Sequence, residues 1–236
     1  MGEAGMTRIP QELFSSRLLA PSILSADFSR LGADVDAVLD AGVRLVHVDV
    51  MDGRFVPNIT IGPAVVSALA PRIHERGAFI DAHLMIVEPD RYLEAFAQAG
   101  ADALSVHVEA CPHLHRTLTH IRELGMAAGL AVNPATDLSA IGEAVMFCDF
   151  VLVMSVNPGF GGQTFIPESV DKIRRLRELA PPRMAIEVDG GVGRDTAHRL
   201  TQAGAGWLVA GSAVFGTGMP EQEAGMLQQL IEGDAC

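Results

Sequence analysis

Lysine is nearly missing from this chain: among 236 residues, Lys172 is the only one. It sits in the charged stretch DKIRRLREL, a helical pattern away from any strand end, so chemistry that forms a Schiff base on an inward amine is disfavoured. Cysteine is scarce as well. Cys111, Cys148 and Cys236 are too few and too unevenly spaced for a disulfide framework and form no Cys-x-x-Cys pair, which points to a reducing, cytoplasmic setting. No apolar run reaches the roughly 18 residues of a membrane span, and the first seventeen residues, with Glu3, Arg8 and Glu12, lack the apolar run of a signal peptide. Positive charge is the last deficit. Seventeen Lys and Arg against 29 Asp and Glu leave a net charge of −12, which disfavours nucleic acid or an anionic membrane as partner. A small anionic ligand must therefore be held by local groups.

What is present is apolar material in a regular rhythm. Apolar residues make up 49% of the chain and charged ones 19%, ample for one buried core. Short apolar runs alternate eight times with amphipathic stretches, with Gly, Pro or Asn between them. The runs are residues 18–24, 45–51, 79–85, 103–109, 126–133, 150–156, 184–191 and 206–212. Helical spacing marks stretches such as SRLGADVDAVLDAG, PDRYLEAFAQAG, ESVDKIRRLRELA and RDTAHRLTQAG. Ala-Gly closes several of them (Gly42, Gly100, Gly204), as a left-handed helix terminus requires. Eight such units, with no Gly-x-Gly-x-x-Gly after the first strand, favour a single (β/α)8 barrel over residues 18–236 rather than an open doubly wound sheet. An N-terminal extension, residues 1–17, precedes it without an assigned role. A barrel of this kind carries its chemistry at the carboxyl ends of the strands.

Polar residues gather at those ends. In HVDVMDG the period of two puts His47, Asp49 and Met51 on one face and the valines on the other. Valine belongs against the helices, so a histidine and a carboxylate face the interior, where an ionised group needs a partner or a metal. The third strand repeats the pattern with Asp81, His83 and Met85, and the seventh adds Glu187 and Asp189. His47, Asp49, His83 and Asp189 together make a mixed nitrogen and oxygen set that suits one divalent ion of zinc, iron, manganese or cobalt. The other reading of the four is a buried, hydrogen-bonded polar cluster.

A second signal is glycine. Gly159, Phe160, Gly161 and Gly162 follow the sixth strand, Gly190 and Gly191 the seventh, and Gly211 with Ser212 the eighth. Glycine lets backbone N–H groups approach an anion closely, and barrel enzymes often hold phosphate at these loops. Such donors need no lysine or arginine, which reconciles an acidic chain with an anionic ligand.

With these motifs assembled, the chain resembles the ribulose-phosphate 3-epimerase family from PSILSADF at residue 21 to GSAVF ending at residue 215. HVDVMDGRFVPN, DAHLM, VNPGFGGQ, EVDGG and AGSAVF all occur in the family's order. The resemblance implies a TIM barrel of the ribulose-phosphate-binding type that interconverts D-ribulose 5-phosphate and D-xylulose 5-phosphate. His47, Asp49, His83 and Asp189 would bind the metal, and Asp49 and Asp189 would trade a proton at carbon 3 through an enediolate. Ser22 and His83 would contact substrate, the glycine loops and Ser212 would hold phosphate, and Met51, Met85 and Met154 would line the pocket. By spacing alone those methionines suit a core equally well. Three rivals follow: an epimerase of a six-carbon substrate such as allulose 6-phosphate, a barrel decarboxylase, and a sugar-phosphate sensor without catalysis. The decarboxylases carry Asp-x-Lys-x-x-Asp where this chain has Asp49-Val50-Met51-Asp52, and the missing lysine counts against them. The apolar exterior of such a barrel permits association into a homo-oligomer.

Overall fold

Alternation along the strands sorts the chain into two layers. On the outer face Val46, Val48 and Val50, with Ile80, Ala82 and Leu84, join a buried cluster with the helix residues Val35, Val66, Leu69, Ile73 and Phe96. The computed structural model describes residues 7–233, so Cys236 and the first six residues of the N-terminal segment lie outside it. Eight strands run in parallel: β1 Leu18–Pro21, β2 Leu45–Met51, β3 Phe79–Met85, β4 Ala103–His107, β5 Ala127–Val132, β6 Phe150–Met154, β7 Ala185–Asp189 and β8 Trp207–Ala210. Their order is β1-β8-β7-β6-β5-β4-β3-β2. The ring is completed between β1 and β2 by an isolated bridge from Ser22 to His47, beside the polar cluster.

Helices α1 Leu31–Asp40, α2 Pro63–Glu75, α3 Leu93–Ala99, α4 Leu114–Glu123, α5 Ser169–Leu179, α6 Arg194–Gln202, α7 Ser212–Phe215 and α8 Pro220–Gly233 complete the fold. The strict eightfold alternation fails once. After β5 the chain makes two short 3-10 turns, Leu138–Ala140 and Ala144–Phe147, and no α-helix. Pro134 opens and Gly142 interrupts this stretch, which leaves too little helix-forming sequence for a nucleus. Lys172 fills the gap from α5, donating its ammonium hydrogens to the carbonyls of Asn133, Pro134 and Thr136. The lone lysine is a loop clamp. Gly42, Gly100 and Gly204 adopt φ of 89°, 99° and 105°, the left-handed joins expected at the Ala-Gly pairs.

The lower interior, at the amino ends of the strands, is apolar. Phe150 and Trp207 fill it, their ring centroids 5.2 Å apart, beside the small residues Ala103, Ala127 and Ala185. Gly129 belongs to the same fit, since a Cβ there would lie 2.2 Å from the Phe150 ring. Residues of the N-terminal extension close this end: Ile9, Leu13 and Phe14 join the cluster, and the Leu13 carbonyl accepts the Trp207 indole hydrogen at 2.9 Å. Phe14→Ala should therefore destabilise the protein by about 3 to 5 kcal/mol, read as a lower urea midpoint at constant slope. A midpoint equal to wild type would show that the extension does not contribute to the barrel core.

Candidate active site

The register between β2 and β3 builds the site in steps. His47 pairs with Asp81, Asp49 with His83 and Met51 with Met85, so each inward residue of one strand has an inward neighbour on the other. The lowest step joins His47 Nδ1 to Asp81 Oδ2 at 2.6 Å, with Glu187 Oε1 3.5 Å from the same ring nitrogen. Burial opposes charge on Glu187 and the neighbouring Asp81 carboxylate opposes it further, so its pKa lies well above the ordinary value. One level up, Asp49 Oδ1 lies 3.4 Å from both His47 Nε2 and His83 Nδ1, and Asp189 Oδ2 lies 3.9 Å from His83 Nδ1.

One ligand atom from each of His47, Asp49, His83 and Asp189 lies within 4.8 Å of every other. The donors also fit an ion chemically. His47 Nε2 and His83 Nδ1 are fully buried and have no hydrogen-bond partner, a state that costs free energy unless something accepts the lone pairs. His47 gives its Nδ1 hydrogen to Asp81, which leaves Nε2 as the nitrogen an ion would take in place of a proton. Two imidazoles and two carboxylates are a borderline set.

The two carboxyl groups differ sharply. Burial works against charge on Asp49, yet His47 and His83 hold its pKa well below the ordinary carboxylate range. Burial raises Asp189 to about 7, with the Asp49 charge adding to the shift. Ser22 donates its hydroxyl hydrogen to Asp49 Oδ2 at 2.5 Å, and Thr60 donates to the Asp49 carbonyl at 2.6 Å. The strand end carrying Asp49 is thus held from two sides.

Above this floor lies a cleft. Its walls include Ser22, Asp49, Asp189, the methionines Met51, Met85 and Met154, and every glycine of the three loops from Gly159, Gly161 and Gly162 through Gly190 and Gly191 to Gly211, with Phe160 and Ser212. His47 and His83 lie beneath it with no exposed surface. All the residues singled out in the sequence therefore meet at one place. Gly190 has φ of 119°, and a Cβ there would lie 2.5 Å from Val156; at Gly211 it would lie 2.5 Å from Ser25 Oγ. Gly190 needs glycine on both counts, its left-handed φ and the Val156 side chain and backbone nitrogen against it, while at Gly211 a side chain would crowd the Ser25 hydroxyl. Asn58 ties the mouth, donating from Nδ2 to the Gly159 carbonyl at 2.9 Å.

Sequence reasoning passed over several contributors. Thr60, Asn58, His107 and Glu109 were not singled out, and Asp81 and Glu187 were noted only as inward-facing. For His107 and Glu109 a signal existed: both are in phase with Ser105 along ALSVHVE, although the strand ends at His107. Burial pushes the Cys111 and Cys148 thiols up to about 12, far from a reactive thiolate. Among the described residues no helix is long and apolar enough to cross a membrane.

The model of the ribulose-phosphate 3 epimerase family matches residues 18–215. Ribulose-phosphate 3-epimerase of Synechocystis sp. is 57% identical over 203 residues, covering 84% of this chain and 87% of that protein. The protein of the same name from Bacillus subtilis is 53% identical over 202 residues, covering 84% and 92%. Among solved structures, KGPDC from Streptococcus mutans superposes with a TM-score of 0.72 over 94% of this chain and 100% of that one at 12% identity, a likeness of fold alone. Because the family pattern runs from β1 through β8 and takes in both the acidic floor and the glycine loops, this chain belongs to the ribulose-phosphate 3-epimerase family.

Proposed function

We propose that the protein interconverts D-ribulose 5-phosphate and D-xylulose 5-phosphate, with Asp49 and Asp189 as the acid/base pair at carbon 3. The observation that carries this reading is the placement of the two carboxyl groups. They rise from β2 and β7, strands separated by β1 and β8, and reach the floor of one cleft. Inverting a carbinol centre beside a ketone requires a proton to leave one face and another to arrive on the opposite face. Two groups approaching from separate strands suit that task better than one. Their unequal proton affinities, Asp49 lowered and Asp189 raised, suit one to act as base and the other as acid.

His47, Asp49, His83 and Asp189 would hold a divalent cation of zinc, iron, manganese or cobalt. When bound, it supplies Lewis-acid stabilisation of the negative charge that develops on the substrate oxygens. The protein's own groups do the rest. Ser22, through its hydrogen bond to Asp49, keeps that carboxylate aimed into the cleft and stands where a substrate hydroxyl would meet it. Backbone N–H groups of the Gly159–Gly162, Gly190–Gly191 and Gly211–Ser212 loops would hold the phosphate and so set carbon 3 at the floor. Met51, Met85 and Met154, all nearly fully buried, wall the reacting carbon with groups that have no proton to give. Solvent deuterium should enter carbon 3 of ribulose 5-phosphate during turnover. An unlabelled position after prolonged incubation with loaded protein would leave a sugar-phosphate binder rather than an epimerase. Turnover of allulose 6-phosphate under the same conditions should be much slower.

A further inference from the structure

His83 and His47 turn a ring nitrogen toward the same point by different means. His47 hydrogen-bonds a carboxylate directly. His83 instead faces a second imidazole: its Nε2 lies 2.9 Å from Nε2 of His107, the last residue of β4, which is fully buried. The other nitrogen of His107, Nδ1, lies 3.1 Å from Glu109 Oε2. Glu109 is itself anchored, accepting the Asn133 backbone hydrogen at 3.0 Å and the Thr136 hydroxyl hydrogen on its second oxygen. Burial opposes charge on Glu109, but these donors hold its pKa down to about 2. It is a carboxylate that can only accept.

The hydrogens in this chain are then determined by counting. A neutral imidazole has one N–H. With one N–H on each ring, the His107 hydrogen lies on Nδ1 toward Glu109, its Nε2 is a lone pair, and the hydrogen between the two rings belongs to His83 Nε2. His83 Nδ1 is left bare, and it is the nitrogen that faces Asp49 and Asp189 without any partner. Phe55 lies over His107 with ring centroids 4.6 Å apart, covering the link. The intervening ring has a physical use. Asp49, Asp81, Asp189 and Glu187 already crowd the floor, and another carboxylate against His83 would add negative charge beside them. An imidazole transmits the orientation and keeps the Glu109 charge on the far side of the ring.

We infer that His107 and Glu109 are positioning residues that hold His83 in its Nε2–H tautomer and so present Nδ1 as a lone-pair donor to the cation. This rests on the reading that the four converging side chains hold a cation. The first test does not depend on it: long-range 1H–15N spectra of the wild-type protein, stripped of metal, should show His83 protonated at Nε2 only. A hydrogen on Nδ1 overturns the inference. The second test titrates Zn2+ into wild type, His107→Leu, His107→Gln and Glu109→Gln, without any assay of turnover. Loss of such an outer partner weakens metal binding by roughly 10- to 100-fold, and His107→Leu should show that loss while its metal-free melting curve remains cooperative. Glu109→Gln, which keeps an acceptor oxygen but no charge, should lose less. His107→Gln restores an acceptor for His83 and should recover part of the affinity. Wild-type affinity in both His107→Leu and Glu109→Gln overturns the inference. Failure of the wild type to bind Zn2+ overturns the ligand reading itself, and is told apart because the tautomer is read without metal.

Discussion

Asp189→Asn should lower kcat by at least about 10²- to 10⁴-fold, the usual share of a general acid or base, while KM changes little because the glycine loops still hold the phosphate. The sharper result is an asymmetry in isotope exchange. With one carboxyl group disabled, the remaining one can still exchange the carbon 3 proton of whichever epimer presents that proton to its face. Asp189→Asn should therefore wash deuterium into one epimer without converting it, and Asp49→Asn should do so for the other. Asn keeps an oxygen that can still face a cation, so metal content should be measured alongside. Net epimerisation within tenfold of wild type in either variant would remove the two-carboxylate proposal. Asp49→Asn should cost more, because Asp49 also lies 3.4 Å from each of the two converging ring nitrogens.

Stripping divalent ions with a chelator should abolish turnover, and zinc, manganese, cobalt or ferrous iron should restore it. Lewis-acid stabilisation is worth several kcal/mol, so a loss of about 10³-fold or more is expected. An ion present at about 1,000 times its Kd also stabilises the fold by about 4 kcal/mol, which a melting curve reports without any assay of activity. The pH dependence has a definite sign. Burial lowers the proton affinity of His47, but Asp49 and Asp81 more than offset it, so its pKa in the metal-free protein stands well above the ordinary imidazole value. A proton there stabilises the metal-free fold below the unfolded pKa, and that contribution fades as pH rises through the folded one. The ion needs the same nitrogen bare. Metal affinity should accordingly rise with pH until His47 is neutral, and flatten above that point. Equal affinity at pH 6 and pH 9 would contradict the assignment of His47.

How much could be read before folding is seen best on β2 and β3. Their bounds coincide with the apolar runs at 45–51 and 79–85 because polar and apolar residues alternate along them. The other strands are shorter than the runs that suggested them. Residues 18–24 become a four-residue strand and a turn, since Ser22 leaves the ladder to make its bridge and cap the turn that follows. The stretch after β5 departs from the repeating pattern because Pro134 and Gly142 break helical continuity over residues 133–149, which form two short 3-10 turns.

In the site, His47, Asp49, His83 and Asp189 were legible from period and strand-end position. A residue's own neighbours along the chain settle which face of a strand it occupies, and glycine at a loop announces a backbone that must bend or approach something closely. Which inward residues touch is a different kind of question. His47 meets Asp81, and His83 meets His107, only because β2, β3 and β4 lie side by side in one register, and a shift of one residue would send each of those groups to the opposite face. Register belongs to the ring as a whole, through the tilt and stagger that eight strands must share to close. The chemical inventory is accordingly local, whereas the tautomers, the proton affinities and the meeting of two carboxyl groups over one cleft arise from contacts between residues dozens to more than a hundred positions apart.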